Sequence, residues 1–154
     1  MLQKPDVTKS KISNVKFGKN VKIVEPVNLY NCEIGDDCFI GPFVEIQKGA
    51  IIGRNTRIQS HSFICELVNI GSNVVIYHGV FFTNDRLKNG KPAFGDKNLW
   101  EKTTIGDNVY IGSGSVLLPV SICNNVTIGA GSVVTKDISK QGKYFGNPAS
   151  FYSK

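Results

Sequence analysis

The sequence predicts an all-β fold, a parallel solenoid of short strands with one long excursion, from two coupled patterns. Large apolar residues recur at every sixth position of one unbroken run: Ile34, Ile40, Ile46, Ile52, Ile58, Ile64, Ile70, Ile76 and Phe82. The fourth residue after each of the first eight is small or β-branched: Cys38, Val44, Ala50, Thr56, Ser62, Val68, Val74 and Val80. A period of six matches neither a helical turn nor a single alternating strand. It matches a triangular coil in which each side is one short strand followed by a corner.

The rest of the chain is assigned by following this repeat in both directions. It begins weakly at Phe17, Ile23 and Leu29, slips by one residue before Ile34, and slips again before Ile128. We expect coils over residues 12–82 and 104–134, roughly six to seven in all. Residues 135–154 depart from the repeat and are expected to cap the end of a single domain, 1–154. Glycine after the apolar residue, as at Gly35 and Gly41, is expected to supply backbone angles that other residues resist.

The excursion is predicted where the repeat fails, at residues 84–103. This segment is polar and contains the chain breakers Gly90, Pro92 and Gly95. Loops of this length inside a compact domain are usually functional or disordered. Phe94 and Trp100 favour the first alternative, since they could anchor the loop on a neighbouring subunit.

Composition and charge narrow the function classes. With 41% hydrophobic and 19% charged residues, the chain is typical of a folded protein. Met1–Ser10 lacks the apolar segment of a secretory signal, and no apolar run approaches the ~20 residues of a membrane span, so we expect a cytoplasmic protein that does not enter a membrane. The net charge of +6 is scattered, which argues against nucleic-acid binding but suits small polyanions such as phosphorylated cofactors.

No metal site is expected from the cysteines or histidines. The four cysteines form no Cys-x-x-Cys pair and are interpreted as small buried apolar residues: Cys32, Cys38, Cys65 and Cys123. Zinc carbonic anhydrases of similar architecture need three histidine ligands, and this chain has two histidines.

The repeats, the stretch Ile128–Val134 and the segment Gly146–Ala149 together resemble the hexapeptide-repeat acyltransferases over nearly the whole chain. That resemblance implies a left-handed parallel β-helix, acetyl-CoA as the co-substrate and a homotrimer with active sites between subunits. Backbone and small side chains of the later coils would hold coenzyme A, and basic residues would meet its phosphates. The cofactor-binding residues predicted on this basis are Gly112, Ser113, Ala130, Gly131, Lys136, Asn147 and Pro148.

A narrower resemblance lies in His78–Asp85, supported by Ser60–Glu66 and by the excursion residues around Lys91, Lys97 and Trp100. These segments are similar to the dTDP-3-amino-3,6-dideoxyhexose 3-N-acetyltransferases. The resemblance implies an acetyl-CoA-dependent N-acetyltransferase that acts on the amino group of a nucleotide-linked sugar. It leaves open whether the nucleotide is dTDP or UDP, and which amine is acetylated.

The candidate catalytic residues are Asn84, Asp85 and His78. Asn84 stands after Thr83, where many relatives carry a histidine base, and an asparagine cannot act as a base. An amine needs less activation than a hydroxyl, so direct attack of the substrate amine on the thioester is the expected mechanism. The predicted substrate-binding residues are His61, Asn84, Asp85, Arg86 and Trp100.

Each of these assignments has a structural alternative. Asn84 and Asp85 could simply start a turn, and His61 and His78 could be partly buried histidines with satisfied hydrogen bonds. The histidines are seventeen residues apart, about one coil, which could bring them close on adjacent coils although their positions in the hexads differ by one. Two rival functions remain, a sugar O-acetyltransferase that uses a histidine base and a non-catalytic β-helix scaffold.

Overall fold

The computed structural model describes residues 8–152, so residues 1–7 and 153–154 of the predicted domain lie outside the described part. The chain coils around one axis and forms three sheets, here called A, B and C, with strands numbered β1 to β21 along the chain. Sheet A contains β1 (Ile12–Ser13), β4 (Asn28–Tyr30), β7 (Glu45–Ile46), β10 (Phe63–Ile64), β13 (Phe81–Phe82), β16 (Val116–Leu117) and β19 (Val133–Val134). Sheet B contains β2 (Lys16–Phe17), β5 (Glu33–Ile34), β8 (Ile51–Ile52), β11 (Val68–Ile70), β14 (Thr103–Ile105) and β17 (Ser121–Ile122). Sheet C contains β3 (Lys22–Ile23), β6 (Phe39–Ile40), β9 (Arg57–Ile58), β12 (Val75–Ile76), β15 (Tyr110–Ile111), β18 (Val126–Ile128), β20 (Gly142–Phe145) and β21 (Ser150–Phe151).

The predicted fold class is confirmed: the molecule is an all-β parallel solenoid of about seven turns, consistent with a left-handed β-helix. Neighbours in each sheet are parallel, as in the register of Ile34 with Ile52 and of Ile52 with Ile70. The antiparallel pair is β20 with β21, at the C-terminal end. Within residues 8–152, no helix has the length and apolar character that crossing a bilayer requires.

The interior is filled by the two residue classes that the repeat predicts. Each large apolar residue of the main run is buried, and so is each small residue that follows four places later. Thr56 and Ser62 occupy small positions without leaving their hydroxyls unpaired, because they donate to the carbonyl oxygens of Gly71 and Tyr77. Alternation of a large and a small inward residue therefore builds a narrow continuous core.

Glycine after the apolar residue has a different cause from the one expected. Gly35 and Gly41 have ordinary negative φ angles and are not among the residues in the left-handed region. A Cβ at Gly35 would lie 2.8 Å from the backbone nitrogen of Arg54, and one at Gly41 would lie 2.8 Å from that of Ser60. These glycines are required because consecutive coils approach too closely there for a side chain.

Left-handed backbone occurs instead at the corners, which take the names of the sheets they join. The B–C corner carries a residue of positive φ in every coil: Asn20, Asp37, Asn55, Asn73, Asn108 and Asn125. The C–A corner carries another such column: Phe43, His61, Gly79, Gly114 and Gly131. The A–B corner is less regular, because the excursion leaves the solenoid there, between β13 and β14.

The excursion is ordered against the coil from which it emerges. Strand β14 already begins at Thr103, which is fully buried, so the coil resumes one residue earlier than the predicted boundaries of 84–103 and 104–134 imply. A short 3₁₀ helix, Lys97–Leu99, precedes it and is capped by the carboxylate of Asp96. Phe94, expected as an anchor, is 87% exposed at the tip of the loop.

Candidate active site

The predicted site residues fall on two corners that flank sheet A. His61 and His78 lie at the C–A corner, in the turns that lead into β10 and β13. Asn84 and Asp85 follow β13 at the A–B corner. Six residues separate His78 from Asn84, so an extended strand carries them up to ~20 Å apart. One chain therefore does not bring the histidines and Asn84 together.

The C–A corner also holds most of the predicted cofactor-binding residues. Its turns are stacked by backbone hydrogen bonds: the N–H of Gly79 donates to Ser60, that of Gly114 to His78, and that of Gly131 to Ser113, at 2.8–2.9 Å. Gly112, Ser113, Ala130 and Gly131 thus lie in neighbouring turns along this corner. A Cβ placed on Gly79, Gly114 or Gly131 would have no heavy atom within 4 Å, so the backbone is open to a ligand there.

Asn147 and Pro148 join this group, whereas Lys136 does not. The turn that contains them returns to β19, because Val133 donates to the carbonyl of Gly146 at 2.9 Å and Ala149 donates to Val133 at 2.8 Å. Lys136 follows the other end of β19, at the A–B corner. It is exposed there, on the opposite side of sheet A from the other predicted cofactor-binding residues.

The two histidines occupy adjacent coils of the C–A corner but have different partners. His78 Nδ1 lies 2.9 Å from Ser60 Oγ, a contact in which the donor depends on the tautomer. His61 stacks on Phe43, with ring centroids 4.7 Å apart and an interplanar angle of 28°. Both histidines are exposed, so neither is a buried core histidine.

At the A–B corner, Asn84 is half-buried and donates from Nδ2 to the carbonyl oxygen of Glu66 at 3.4 Å. Glu66 in turn donates its N–H to Gln47 Oε1 at 3.3 Å, and Gln47 Nε2 donates to Glu45 at 2.8 Å. The carboxylate of Glu66 is itself paired with Lys97, whose Nζ lies 2.6 Å from Oε2, so this network links the excursion to the Asn84 amide. Sequence reasoning missed Glu45, Gln47 and the role of Glu66. The available signal was the spacing of 18 residues between Glu66 and Asn84, which places the two on successive coils.

Tyr30 closes this group from the preceding coil. Burial raises the pKa of its phenol, and the nearby carboxylates of Glu45 and Glu66 raise that pKa further. The phenol therefore stays protonated at neutral pH and can serve as a hydrogen-bond donor.

Asp85 organises the excursion. Its two carboxylate oxygens accept from the backbone N–H groups of Leu87 and Ala93, both at 2.8 Å, and its backbone pairs with that of Trp100 in an antiparallel bridge. Trp100 is half-buried, with Lys97 Nζ 5.2 Å from the centre of its ring. These contacts therefore agree with the alternative in which Asp85 starts the loop.

Arg86 is likewise engaged by protein groups. Its guanidinium donates to the carbonyl oxygens of Pro119 and Thr135 and lies 3.3 Å from the carboxylate of Glu101. Lys88 Nζ lies 3.0 Å from the same carboxylate. The hydrogen bond from Lys88 and the two positive charges hold the pKa of Glu101 below its usual value. Arg86 thus fastens the base of the excursion to later coils.

Nowhere in residues 8–152 do three or more His, Cys, Asp or Glu side chains gather closely enough to hold a metal ion. Burial raises the pKa of the Cys32 thiol to about 11 and that of Cys65 to about 12. These thiols are therefore protonated core residues at neutral pH. The chemistry available at the two corners is hydrogen bonding, imidazole proton transfer and binding by exposed backbone.

Two family models match separate parts of the chain. The model described as bacterial transferase hexapeptide (six repeats) matches residues 31–66, and the model described as hexapeptide repeat of succinyl-transferase matches residues 102–136. Among curated proteins, the chain is 32% identical over 145 residues to the bifunctional protein GlmU of Cellvibrio japonicus (strain Ueda107). That match covers 82% of this chain but only 30% of the curated relative.

Solved structures share the solenoid. A galactoside acetyltransferase in complex with coenzyme A is 34% identical with a TM-score of 0.68, over 79% of this chain and 64% of that one. A variant of AntD, an N-acyltransferase from Bacillus cereus in complex with dTDP and coenzyme A, is 22% identical with a TM-score of 0.66, over 90% of this chain and 82% of that one. Both family models match repeats that build the coils, and over residues 31–66 and 102–136 the chain is thus similar to hexapeptide-repeat transferases.

Proposed function

We propose that the protein is an acetyl-CoA-dependent N-acetyltransferase that acts on the amino group of a nucleotide-linked sugar, with a dTDP-linked 3-amino-3,6-dideoxyhexose as the first candidate. The observation that carries this proposal is the position of Asn84 beside Glu66, at a corner that contains neither of the chain's two histidines. A hydroxyl acceptor bound there would find no histidine base on the same chain, whereas an unprotonated amine needs none.

The open glycine backbone of the C–A corner suits acetyl-CoA. Gly79, Gly114 and Gly131 leave a smooth strip of exposed peptide along three coils, to which the pantetheine arm could hydrogen bond. Galactoside acetyltransferase, at 34% identity, was solved with coenzyme A, and AntD shows that a related solenoid can hold dTDP and coenzyme A together.

The reaction follows from these groups. The amine nitrogen attacks the thioester carbon, the carbon–sulfur bond breaks, and the proton leaves the nitrogen for the coenzyme A thiolate. Asn84 would position the sugar near its amine through its amide, while Asp85, Arg86 and Trp100 hold the excursion around it. A homotrimer would complete the site, since the C–A corner of a neighbouring copy could face the A–B corner that carries Asn84.

The test is an assay of acetyl transfer to a panel of dTDP- and UDP-linked 3-amino and 4-amino sugars. Transfer is measured as the release of the free thiol of coenzyme A. Asn84→Ala is expected to lower kcat about a hundredfold, the scale of losing one positioned hydrogen-bond donor. Asn89→Ala, an exposed residue of the same excursion, is the matched control and should keep full activity. Unchanged turnover by Asn84→Ala would remove it from the site. Failure of acetyl-CoA to raise the melting temperature of the wild type would favour a scaffold.

A sugar O-acetyltransferase is the second candidate, because of the 2.9 Å contact between Ser60 Oγ and His78 Nδ1. A hydrogen bond to one ring nitrogen fixes the tautomer and orients the other nitrogen for proton transfer. In that case His78→Asn would abolish transfer to a hydroxyl acceptor. N-acetylation that survives His78→Asn would exclude this base.

A further inference from the structure

The outer face of sheet C carries a column of basic and aromatic residues. In each parallel strand of this sheet, the residue before the inward apolar one faces outward, and each such residue is exposed or half-buried. The strand register aligns these residues into one line: Lys22, Phe39, Arg57, Val75, Tyr110, Thr127 and Lys143. Neighbouring strands lie ~4.8 Å apart, so this line, here called the sheet C column, is about 29 Å long.

The sheet C column is positively charged. It contains the cations Lys22, Arg57 and Lys143, and its remaining residues include no acid. Within residues 8–152, none of these three cations forms an ion pair, whereas Lys16 on sheet B pairs with Glu33 at 2.6 Å. The positive charge of the column therefore remains available to an external anion.

Carboxylates near sheet C lie at the corners that flank it. At the B–C corner, Asp37 accepts a hydrogen bond from Asn20 at 3.0 Å, and Asp107 accepts one from the backbone of Ser72 at 2.7 Å. Glu25 lies at the first turn of the C–A corner. A ligand that follows the middle of the face therefore meets the cations without crossing these carboxylates.

Two exposed tyrosines stand on the same face. Tyr110 is 46% exposed and Tyr77 is 45% exposed. Because Val75 lies opposite Tyr110, Tyr77 is the diagonal neighbour of Tyr110 on the adjacent strand. The faces of such rings carry partial negative charge and attract the positively polarised C–H groups of a sugar ring. The pair therefore forms a platform on which sugars can pack.

Arg57 is preorganised to bind a carboxylate. Its guanidinium lies over the ring of Phe39, 4.7 Å from the ring centroid. Stacking of this kind fixes the plane of the guanidinium, whose edge then offers parallel N–H groups to both oxygens of a carboxylate.

The spacing of the cations distinguishes the classes of partner. A nucleic-acid strand carries one charge per ~3.4 Å, which would place about eight phosphates along a column that has three cations. A second copy of sheet C would bring cations against cations, which is unfavourable. Lys22 and Arg57 are two coils apart, and Arg57 and Lys143 are four coils apart. Anions that recur at every second coil fit this spacing.

A linear acidic polysaccharide has such anions. A pyranose ring in an extended chain advances by nearly the spacing of neighbouring strands, so consecutive sugars can follow consecutive coils. Where uronic acids alternate with neutral sugars, a carboxylate recurs at every second coil. The phenol of Tyr110, two coils beyond Arg57, can donate a hydrogen bond to the next carboxylate, and Tyr77 faces the neutral sugar between them.

We propose that the sheet C column binds a linear acidic polysaccharide in which carboxylates occur on alternate sugars. This site goes beyond the proposed acetyl transfer and does not depend on it, since Asn84 lies at the A–B corner, which sheet C does not form. In the proposed homotrimer the A–B and C–A corners of neighbouring copies meet, and both flank sheet A. Sheet C then stays on the outside of the assembly.

The experiment measures binding of a hyaluronan octasaccharide, in which glucuronic acid alternates with a neutral acetamido sugar, by calorimetry at low salt. Arg57→Gln should weaken binding about tenfold, the scale of one lost charge-assisted hydrogen bond. Arg54→Gln, which removes an exposed cation from the B–C corner of the same coil, is the matched control and should bind like the wild type. Tyr110→Thr should also weaken binding about tenfold. Ile51→Thr, a matched loss of an exposed apolar side chain on sheet B, should not.

Melting temperatures close to that of the wild type will show that all four variants are folded. Binding should weaken as salt is added, and a neutral maltose oligomer of equal length should not bind. Equal losses in Arg57→Gln and Arg54→Gln would overturn the proposal, because net charge alone would then explain the attraction.

Three other results would also overturn it. One is a wild type that does not bind the octasaccharide. Another is tighter binding of a single-stranded oligothymidylate that Arg57→Gln and Tyr110→Thr weaken, which would make the column a nucleic-acid surface. The third is a fall in the sedimentation mass of either variant, which would mean that another copy of the chain covers the column. None of these results bears on acetyl transfer, which is assayed separately.

Discussion

The B–C and C–A corners adopt the same left-handed backbone but fill it with different residues. The B–C corner uses asparagine or aspartate in every coil, whereas the C–A corner uses Phe43 and His61 and then three glycines. Neighbouring asparagines form a ladder, as in the 2.8 Å bond from Asn55 to Asn73. A corner that only has to turn the chain thus uses the residues that tolerate this backbone best. The C–A corner does not follow that choice. Its early coils carry bulky aromatic side chains, and its later coils carry glycine, which leaves the backbone exposed.

The largest expected effect comes from making the later half of the C–A corner resemble the earlier half. Gly131→Tyr would place a ring on the open strip of backbone proposed to hold acetyl-CoA. We expect acetyl-CoA affinity to fall about a hundredfold, or ~2.7 kcal/mol, as measured by calorimetry. Asn125→Tyr makes the same kind of substitution on a neighbouring turn of the B–C corner, at φ +60°, and should leave that affinity unchanged. Equal losses in both variants would mean that the two corners do not differ in function.

The asparagine ladder should matter for stability and for nothing else. Asn73 accepts a hydrogen bond from Asn55 at 2.8 Å and donates one to Asn108 at 3.3 Å. Asn73→Ala removes both bonds and places alanine at φ +57°, which should cost about 2 kcal/mol. The melting temperature should fall by about 4–8 °C while the affinity for acetyl-CoA is retained. A fall in affinity without a fall in melting temperature would contradict this division of roles.

Asparagine should be the better residue for stability at the aromatic position as well. Phe43→Asn replaces a strained, exposed aromatic residue with one that tolerates φ +60°, and it should stabilise the fold by ~1 kcal/mol. Thermal unfolding should show a rise of about 2–4 °C. The reciprocal variant, Asn55→Phe at φ +53°, should lower the melting temperature. A destabilised Phe43→Asn protein would mean that the stacking of Phe43 on His61 outweighs the backbone strain.

The interior and the corners differ in how far they could be predicted from sequence. Residues such as Ile46 and Ala50 were assigned correctly because only alternating large and small side chains fill a narrow triangular core. The left-handed backbone of Phe43 had no such signal, since an aromatic residue at positive φ contradicts local preference. The position of a residue within its ~18-residue coil decides the corner at which it lies. The slips in the repeat obscure that count, and Lys136 was therefore grouped with residues of the opposite corner.

The excursion was visible in the sequence as a break in the repeat, but its contacts were not. Arg86 meets the carbonyl oxygen of Thr135 across 49 residues of sequence, and no periodicity encodes such a pair. Asp85 is predicted as a catalytic residue, and in the structure its carboxylate accepts from two backbone N–H groups within the loop. A polar residue at a loop start carries the same sequence signal for either role.

The A–B corner differs from the other two corners. Charged side chains hold the excursion at the A–B corner, whereas single residues turn the chain at the B–C and C–A corners. Interactions with Lys88 and Arg86 lower the pKa of Glu101 in the folded protein. The stability that this carboxylate contributes is therefore present above its unfolded pKa and is lost as the pH falls through the lower, folded value. Glu101 is partly exposed, so the effect should be small and should weaken with salt.

The smallest expected effect is a local loosening of the excursion in acid. Trp100, the single tryptophan, lies one residue from Glu101 and reports on this region by its fluorescence. Its emission should move towards that of an exposed indole as the pH is lowered below the ordinary range of a carboxyl group, before the solenoid melts. Glu101→Gln should show the shifted emission already at neutral pH, because a neutral amide cannot hold Arg86 and Lys88 together. Emission from Glu101→Gln that matches the wild type at every pH would mean that Asp85 and the strand-like pairing with Trp100 hold the excursion without help from charge.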